Sequence, residues 1–193
     1  MKNVTVFCGS SNGFRVEYAE AAKDLARCLV ERNIRLIYGG GNIGLMGIIA
    51  DEVMRLGGAV VGIIPESLDK KEVGHRGITE LRVVASMHER KALMAELTDG
   101  FIAMPGGIGT FEEFFEILTW AQLGFHRKPC GILNVAGYYD GLLALCDNAV
   151  GEGFLRDVHR RLILEESEPI LLLEKMDNFQ PQTIEKWIDK TDL

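Results

Sequence analysis

Short apolar runs alternate with longer amphipathic segments along most of this chain. The apolar runs are rich in Val, Ile, Leu and Phe and show little alternation of polar and apolar positions. That pattern is typical of strands buried on both faces of a parallel sheet. It predicts strands over Val4–Cys8, Ile34–Tyr38, Ala59–Ile64, Leu81–Ala85, Phe101–Met104, Gly131–Val135 and Ile170–Leu173.

Between these strands, apolar residues recur at the spacing of amphipathic helices. The predicted helices are Val16–Arg32, Leu45–Leu56, His88–Leu97, Thr110–Leu123, Tyr139–Val150 and Pro181–Asp189. The alternation of strands and helices predicts right-handed crossovers and a doubly wound α/β fold, with a mainly parallel sheet and helices on both faces. Because no repeat or Pro/Ser-rich linker divides the chain, we expect residues 1–193 to form a single domain.

Composition and charge limit the partners of this domain. The net charge is −7, so we expect no nucleic-acid partner and no attraction to an anionic membrane surface. No apolar run is long enough to span a membrane or to serve as a signal peptide. The cysteines form no C-x-x-C pair and the histidines are scattered, which predicts reduced thiols in a cytoplasmic protein without a metal site.

Three glycine-rich turns each follow a predicted strand and precede a helix: Cys8–Gly13, Gly39–Gly44 and Pro105–Thr110. Ligands of open α/β sheets bind at the carboxyl ends of the strands, so we expect all three turns at one edge. Glycine lets the backbone approach a ligand closely, and a helix start offers free N–H groups to an anion. Although glycine also serves simply to turn the chain, three such turns favour a phosphorylated or nucleotide ligand.

The second turn also matches the dinucleotide fingerprint G-x-G-x-x-G at Gly39, Gly41 and Gly44, with Glu66 about twenty residues further on. That match would indicate an NAD-linked oxidoreductase. The fingerprint belongs in the first strand–helix unit, however, and here it follows the second strand.

The third turn has two explanations. Thr110 and Glu113 form T-x-x-E, a capping box that would open the following helix and explain both residues without chemistry. Capping does not explain the glycines at Gly106, Gly107 and Gly109, which cost backbone entropy.

Two adjacent cations, Arg90 and Lys91, lie in the predicted first turn of a helix on the same sheet edge. The helix dipole disfavours cations there, and a nearby anion would remove the conflict through a bidentate Arg contact and a Lys point charge. The alternative is a solvated basic face paired with Glu89 or Glu96.

The segment Pro105–Glu113 fits the pattern P-G-G-x-G-T-x-x-E. Together with Met87–Lys91 and Tyr38–Gly41, it resembles the LONELY GUY family of cytokinin-activating enzymes. The resemblance covers nearly the whole chain and includes Phe7–Ser11, Gly44–Gly47, Thr119–Gly124 and Asn134–Asp140, while the portion from about Gly151 is generic.

This resemblance implies a Rossmann-like phosphoribohydrolase without a cofactor. Members cleave the N-glycosidic bond of N6-modified adenosine 5′-monophosphates and release the free base and ribose 5-phosphate, and many accept AMP. The implied partner is therefore a small nucleoside monophosphate. The resemblance also implies a homodimer.

The resemblance further implies roles for individual residues. The Gly106–Thr110 turn would bind the 5′-phosphate, with Arg90 and Lys91 beside it, and Glu113 would serve the ribose and the reacting centre. Arg90 and Glu113 are the candidate catalytic residues. The residues implied in substrate binding are Glu72, Glu80, Arg90, Lys91, Gly106, Gly107, Ile108, Gly109, Thr110, Glu113 and Thr119. Ile108 and Phe111 replace the Tyr and Leu of many relatives, which bears on base preference.

A carboxylate suits this chemistry, because breaking a ribosyl C–N bond builds positive charge on the sugar. Another interpretation is a non-catalytic nucleotide-binding or carrier protein of the same fold, which would need the glycines and Arg90 but not Glu113. The label of lysine decarboxylase, which some relatives carry, is rejected. Pyridoxal phosphate chemistry needs a Schiff-base lysine with a partner for the pyridine nitrogen, and no lysine has that sequence context.

Overall fold

A computed structural model describes residues 1–69 and 74–180. Seven parallel strands form one sheet in the order β4-β3-β2-β1-β5-β6-β7. The strands are β1 (Asn3–Phe7), β2 (Arg35–Tyr38), β3 (Val60–Pro65), β4 (Glu80–Val84), β5 (Gly100–Ala103), β6 (Cys130–Leu133) and β7 (Ile163–Glu166). The predicted doubly wound α/β fold is confirmed.

The helices cover both faces of the sheet. They are α1 (Val16–Glu31), α2 (Gly44–Arg55), α3 (Glu66–Asp69), α4 (Met87–Leu97), α5 (Ile108–Gln122), α6 (Asp140–Gly151), α7 (Asp157–Arg160) and α8 (Pro169–Asp177). Helices α1, α2 and α8 pack in one apolar core, whereas α4, α5 and α6 pack in a second core on the other face. Because both faces of the central strands are buried, those strands lack polar alternation. No helix of the described ranges is long and apolar enough to cross a membrane.

The predicted last strand is wrong. Ile170–Leu173 lies within α8, which begins at Pro169, and the true final strand is β7. A short apolar run cannot be assigned to strand or helix from periodicity alone, and β7 is an edge strand with two glutamates and three half-buried residues. The remaining predicted strands match β1 to β6 within one or two residues, and the predicted helix Pro181–Asp189 lies outside the described residues.

Strand β1 lies where the direction of winding reverses. Its neighbours are β2 on one side and β5 on the other. The chain leaves β1 toward α1 on one face of the sheet and leaves β5 toward α5 on the opposite face. A crevice therefore opens between the loops that follow β1 and β5, which is where open α/β sheets bind ligands.

The three glycine-rich turns meet at this crevice. The N–H of Gly9 donates to the carbonyl of Pro105 at 3.0 Å, and the N–H of Met46 donates to the carbonyl of Gly9 at 3.4 Å. Gly44 has a φ of +63° and packs so closely on Ser10 that a Cβ at position 44 would overlap the Ser10 backbone. The expectation that all three turns share one sheet edge is confirmed.

We predict that Gly44→Ala destabilises the protein more than Gly57→Ala. Both glycines have a positive φ, but a Cβ on Gly57 would meet no atom within 4 Å. Gly57→Ala should therefore cost only the backbone penalty of about 1–2 kcal/mol. Gly44→Ala should cost about 1–3 kcal/mol more, because the Ser10 backbone must move. The free energy of unfolding in urea measures both, and equal losses would show that Ser10 yields freely.

Candidate active site

Helix α4 supplies the cationic side of the site. The Ser86 hydroxyl caps the helix by accepting from the N–H of Glu89 at 3.1 Å, and the Glu89 carboxylate accepts from the N–H of Ala85 at 2.8 Å. Glu89 is thus used in the cap. Arg90 and Lys91 are each only 7% exposed, so the alternative of a solvated basic face is wrong.

The Arg90 guanidinium is held from three sides. Its Nη1 donates to Oε1 of Glu113 at 2.5 Å, and its Nε donates to the carbonyl of Ile63 at 3.0 Å. Its Nη2 lies over Gly39, where any Cβ would overlap it. Gly39 and Gly44 of the apparent dinucleotide fingerprint therefore have structural reasons within this fold, one beside Arg90 and the other beside Ser10.

Glu113 has no capping role. Helix α5 begins at Ile108 with Gly107 as its N-cap, and no side chain caps it. The capping box predicted from Thr110 and Glu113 is therefore wrong, because Glu113 lies more than a turn beyond the helix start. Its carboxylate is buried and points to Arg90 on α4. Helix capping therefore does not explain why a glutamate stands at position 113.

Burial dominates the electrostatics of Glu113. Loss of hydration raises the pKa of its carboxyl above the ordinary value, and the charge and hydrogen bond of Arg90 offset only part of that effect. The same negative charge adds to burial in raising the pKa of the Cys8 thiol, at the end of β1. A carboxyl with a perturbed pKa beside a specific cation, at the crevice of the sheet, is a candidate for proton transfer or charge stabilisation.

The start of α5 forms the second half of the site. The first helical hydrogen bond runs from the N–H of Phe111 to the carbonyl of Gly107 at 3.2 Å, so the N–H groups of Ile108, Gly109 and Thr110 precede it and have no partner in the helix. These groups and the positive end of the helix dipole suit an anion.

The glycines of this turn divide into two kinds. A Cβ on Gly106 would overlap the Thr110 hydroxyl, so packing requires glycine there. A Cβ on Gly107 or Gly109 would meet nothing within 4 Å, and neither residue has a positive φ. No described contact requires these two glycines, whereas close approach of a ligand would.

Two other predicted residues, Lys91 and Glu80, pair with charged side chains of this chain. The Lys91 ammonium donates to Oε1 of Glu112 at 2.6 Å and pairs with Oε2 of Glu116 at 2.8 Å. Glu80 begins β4, at the opposite edge of the sheet from the glycine turns, and pairs with Arg82 at 2.8 Å. The structure therefore does not bring Glu80 to the site, and it shows Lys91 bound to carboxylates.

Another predicted contact lies apart from the start of α5. Thr119 is exposed on α5, about 16 Å along the helix from Ile108, and its hydroxyl donates to the carbonyl of Phe115 at 2.7 Å. Glu72 lies outside the described residues. Ile108 is 80% exposed at the helix start. In residues 1–69 and 74–180, no group of three or more His, Cys, Asp or Glu side chains could hold a metal ion.

Sequence reasoning missed two tyrosines that contact the segment at and just before the Pro105–Thr110 turn. The Tyr138 hydroxyl donates to the carbonyl of Gly106, and the buried Tyr139 hydroxyl donates to the carbonyl of Met104 at 2.7 Å. Both residues lie in the Asn134–Asp140 segment that carries part of the family resemblance. Nothing in their local sequence indicates the contact, since it joins residues 32 and 35 positions apart.

Solved structures with the same fold are only distantly similar in sequence. TM1055 aligns with a TM-score of 0.70 and 18% identity over 93% of this chain and 100% of that protein. The molybdenum cofactor carrier protein of Chlamydomonas reinhardtii aligns with a TM-score of 0.68 and 15% identity over 92% of this chain and 99% of its own. These likenesses show the fold alone.

Sequence relatives are much closer. Cytokinin riboside 5′-monophosphate phosphoribohydrolase LOG7 of Arabidopsis thaliana is 49% identical over 94% of this chain and 83% of its own length. The probable enzyme LOGL9 of Oryza sativa subsp. japonica is 50% identical over 93% of this chain and 79% of its own. The family model described as "possible lysine decarboxylase" matches residues 46–176. The chain therefore belongs to the LONELY GUY family of cytokinin riboside 5′-monophosphate phosphoribohydrolases, to which that model also applies.

Proposed function

We propose that this protein hydrolyses the N-glycosidic bond of adenosine 5′-monophosphates, with or without an N6 substituent, and releases the base and ribose 5-phosphate. The observation that carries the proposal is the buried contact between Arg90 and Glu113 beside the uncapped start of α5. A carboxylate and an anion site at one crevice match a phosphorylated substrate whose sugar becomes cationic. The phosphoribohydrolase activity of the Arabidopsis thaliana relatives supports the same reaction.

The start of α5 holds the 5′-phosphate in this proposal. Its N–H groups at Ile108, Gly109 and Thr110 donate to the phosphate oxygens, and the absence of side chains at Gly107 and Gly109 lets the phosphate approach the backbone. Binding the phosphate there fixes the ribose relative to Glu113. Such positioning lowers the entropic cost of reaching the transition state.

Glu113 acts at the reacting carbon. As the bond from C1′ to the base nitrogen breaks, its electron pair leaves on the base and positive charge builds on the ribose. The Glu113 carboxylate stabilises that charge and takes a proton from the attacking water. Glu113 passes this proton to the departing base, so one water supplies both the hydroxyl on C1′ and the proton on the base. Because the carboxylate is buried, its electrostatic effect is stronger than it would be in water.

Arg90 holds that carboxylate in place. A guanidinium stays protonated at neutral pH, so Arg90 is no base, and its contacts with Ile63 and Glu113 set the direction of the carboxylate. Lys91 joins α4 to α5 through Glu112 and Glu116. Its contact with the phosphate stays a prediction of the family resemblance.

Lys91, the lysine next to Arg90, does not suit the Schiff-base role of a decarboxylase. Burial lowers the pKa of Lys91, but its hydrogen bonds with Glu112 and Glu116 outweigh burial and the net shift is upward. A Schiff-base lysine must lose its proton, and Lys91 is held in the protonated form. A carrier protein remains the second candidate, and the buried carboxylate of Glu113 argues against it, because a carrier of anionic nucleotides gains nothing from a negative charge at its site.

We further propose a cytoplasmic homodimer. The four cysteines are all free and mostly buried, as in a reducing compartment. Leu123 and Phe125, just after the end of α5, are exposed apolar residues, 53% and 74% accessible, which suits contact with a second copy. Thr119 is too far along α5 to reach the Gly106–Thr110 turn of its own chain. The substrate contact implied for it would therefore be made in the site of the second copy.

Glu113→Gln should strongly slow the cleavage of AMP and N6-isopentenyl-AMP while the protein stays folded. The amide keeps the size and can still accept from Arg90, but it cannot take a proton or balance a cation. The rate should fall by roughly 100-fold or more. Free base and ribose 5-phosphate, measured by chromatography in equal amounts, report the reaction, and thermal unfolding reports the fold.

Glu112→Gln is the matched control for this experiment. It removes a carboxylate from the adjacent residue, whose side chain is half exposed and pairs with Lys91, and it should keep near-parental activity. Cleavage at the parental rate by Glu113→Gln would overturn the mechanism. Absence of cleavage by the parent protein, with AMP bound, would favour the carrier function.

The raised pKa of Glu113 predicts opposite pH trends for activity and stability. The pKa of Glu113 is higher in the folded protein than its ordinary value of 4.5, so the folded protein binds this proton more tightly than the unfolded chain does. The free energy of unfolding should therefore fall as pH rises from that value through the folded pKa. Over the same window, kcat/KM for AMP should rise, because the carboxylate form is the active one.

Urea unfolding of the parent and of Glu113→Gln across that pH range isolates the contribution of Glu113. The parent should lose stability relative to the variant as pH rises. A difference that is independent of pH would mean that the Glu113 pKa is equal in the folded and unfolded states.

A further inference from the structure

Tyr138 contacts the Gly106–Thr110 turn, which we propose to bind the phosphate. It lies outside the P-G-G-x-G-T-x-x-E motif that contains this turn. Its hydroxyl donates to the carbonyl of Gly106. That carbonyl and the N–H of Gly107 belong to one trans peptide unit, so they point in opposite directions. Holding the carbonyl toward Tyr138 therefore aims the Gly107 N–H away from Tyr138.

The peptide that Tyr138 holds is otherwise easy to rotate. It joins two glycines, which lose little by adopting other backbone angles, and Gly107 has no neighbour that a side chain would touch. A flipped peptide would present a carbonyl oxygen where the N–H had been and would repel an anion. The turn thus needs an external hydrogen bond to keep its donors aligned.

The Tyr138 ring is itself fixed by rings from separate elements. It meets Tyr139 edge-on at 5.0 Å and Tyr18 of α1 edge-on at 5.7 Å, and it lies tilted on Phe111 of α5 at 6.5 Å. The ring of Tyr18 in turn packs on Gly13 of the first glycine turn, where a Cβ would lie 2.7 Å away. Edge-on aromatic contacts of this kind are directional, so the hydroxyl has a defined position.

The backbone just before Tyr138 has a strained conformation that places this residue beside Gly106. Ala136 has a φ of +51° and Gly137 a φ of +70°, and the left-handed region is unfavourable for a non-glycine residue such as Ala136. The carbonyl of Ala136 accepts from Nη1 of Arg15 at 3.4 Å, and the N–H of Tyr138 donates to the carbonyl of Val135 at 3.0 Å. This tight turn brings the chain from the end of β6 back across the sheet edge to Gly106.

We propose that Tyr138 is a positioning residue for phosphate recognition, which orients the Gly106–Gly107 peptide so that the Gly107 N–H joins the anion site. The inference rests on the proposed function, since it concerns the phosphate of the same substrate. It predicts that the Tyr138 hydroxyl affects phosphate binding and leaves the fold and the step at C1′ largely unchanged.

Tyr138→Phe tests the inference, because it keeps the ring and removes only the hydroxyl. The dissociation constants for inorganic phosphate and ribose 5-phosphate, measured by calorimetry, should rise by roughly three- to tenfold, the range expected for one lost hydrogen bond. KM for AMP should rise in parallel and kcat should change less. Thermal unfolding should match the parent.

Tyr18→Phe is the control. Its ring packs on Tyr138 in the same cluster, but its hydroxyl makes no hydrogen bond to Gly106, so phosphate binding should stay at the parental level. Parental phosphate binding by Tyr138→Phe, or a loss of kcat and stability with KM unchanged, would overturn the inference.

The two proposals fail in distinguishable ways. A parent that binds phosphate but does not cleave AMP would contradict the proposed function, while the ratio of phosphate affinities between parent and Tyr138→Phe would still decide the role of Tyr138. A parent that binds neither phosphate nor AMP would overturn both.

Discussion

A buried ion pair at the crevice of the sheet determines how the site is built. Arg90 and Glu113 come from helices that follow different strands, and each is almost fully removed from water. Burying two charges costs more than their attraction returns unless other hydrogen bonds complete them. The carbonyl of Ile63 accepts such a hydrogen bond from Arg90, and the absence of a side chain at Gly39 leaves room for the guanidinium. An apolar contact could join the two helices without this loss of hydration. The proposed reaction at C1′ of the ribose gives a reason for the ion pair.

The glycine turns separate what the fold requires from what a ligand requires. Gly39, Gly44 and Gly106 lie against Arg90, Ser10 and Thr110, and any side chain at these positions would overlap a neighbour. Gly107 and Gly109 have open space around them. The same glycine-rich edge therefore contains residues that hold the turns together and residues that leave the start of α5 accessible. A G-x-G-x-x-G match alone cannot distinguish these two kinds.

Much of the fold follows from the apolar pattern, and the errors have local causes. Strands β1, β2, β3, β5 and β6 are buried along almost their whole length, so their sequence is distinctive. The edge strand β7 has glutamates in place of an apolar run, and the run at Ile170 belongs to a helix that buries Leu172 and Leu173. The predicted capping box failed because α5 starts two residues earlier, at Ile108.

The site was predictable only in part. The motifs of the family brought Arg90, Glu113 and the Gly106–Thr110 turn to one crevice, because parallel strands place their following turns at one edge. The partners of Lys91 and the contact between Tyr138 and Gly106 depend on how helices pack across the sheet. No spacing along the chain encodes those contacts, so they had to be observed.

A double-mutant cycle on kcat/KM for AMP tests most directly whether Arg90 and Glu113 act as one unit. Arg90→Lys keeps the charge but loses the planar contact that directs the carboxylate. If Arg90 works through Glu113, Arg90→Lys combined with Glu113→Gln should be about as slow as the slower single variant. Losses that multiply in the double variant would show that the two residues act independently and would contradict this account.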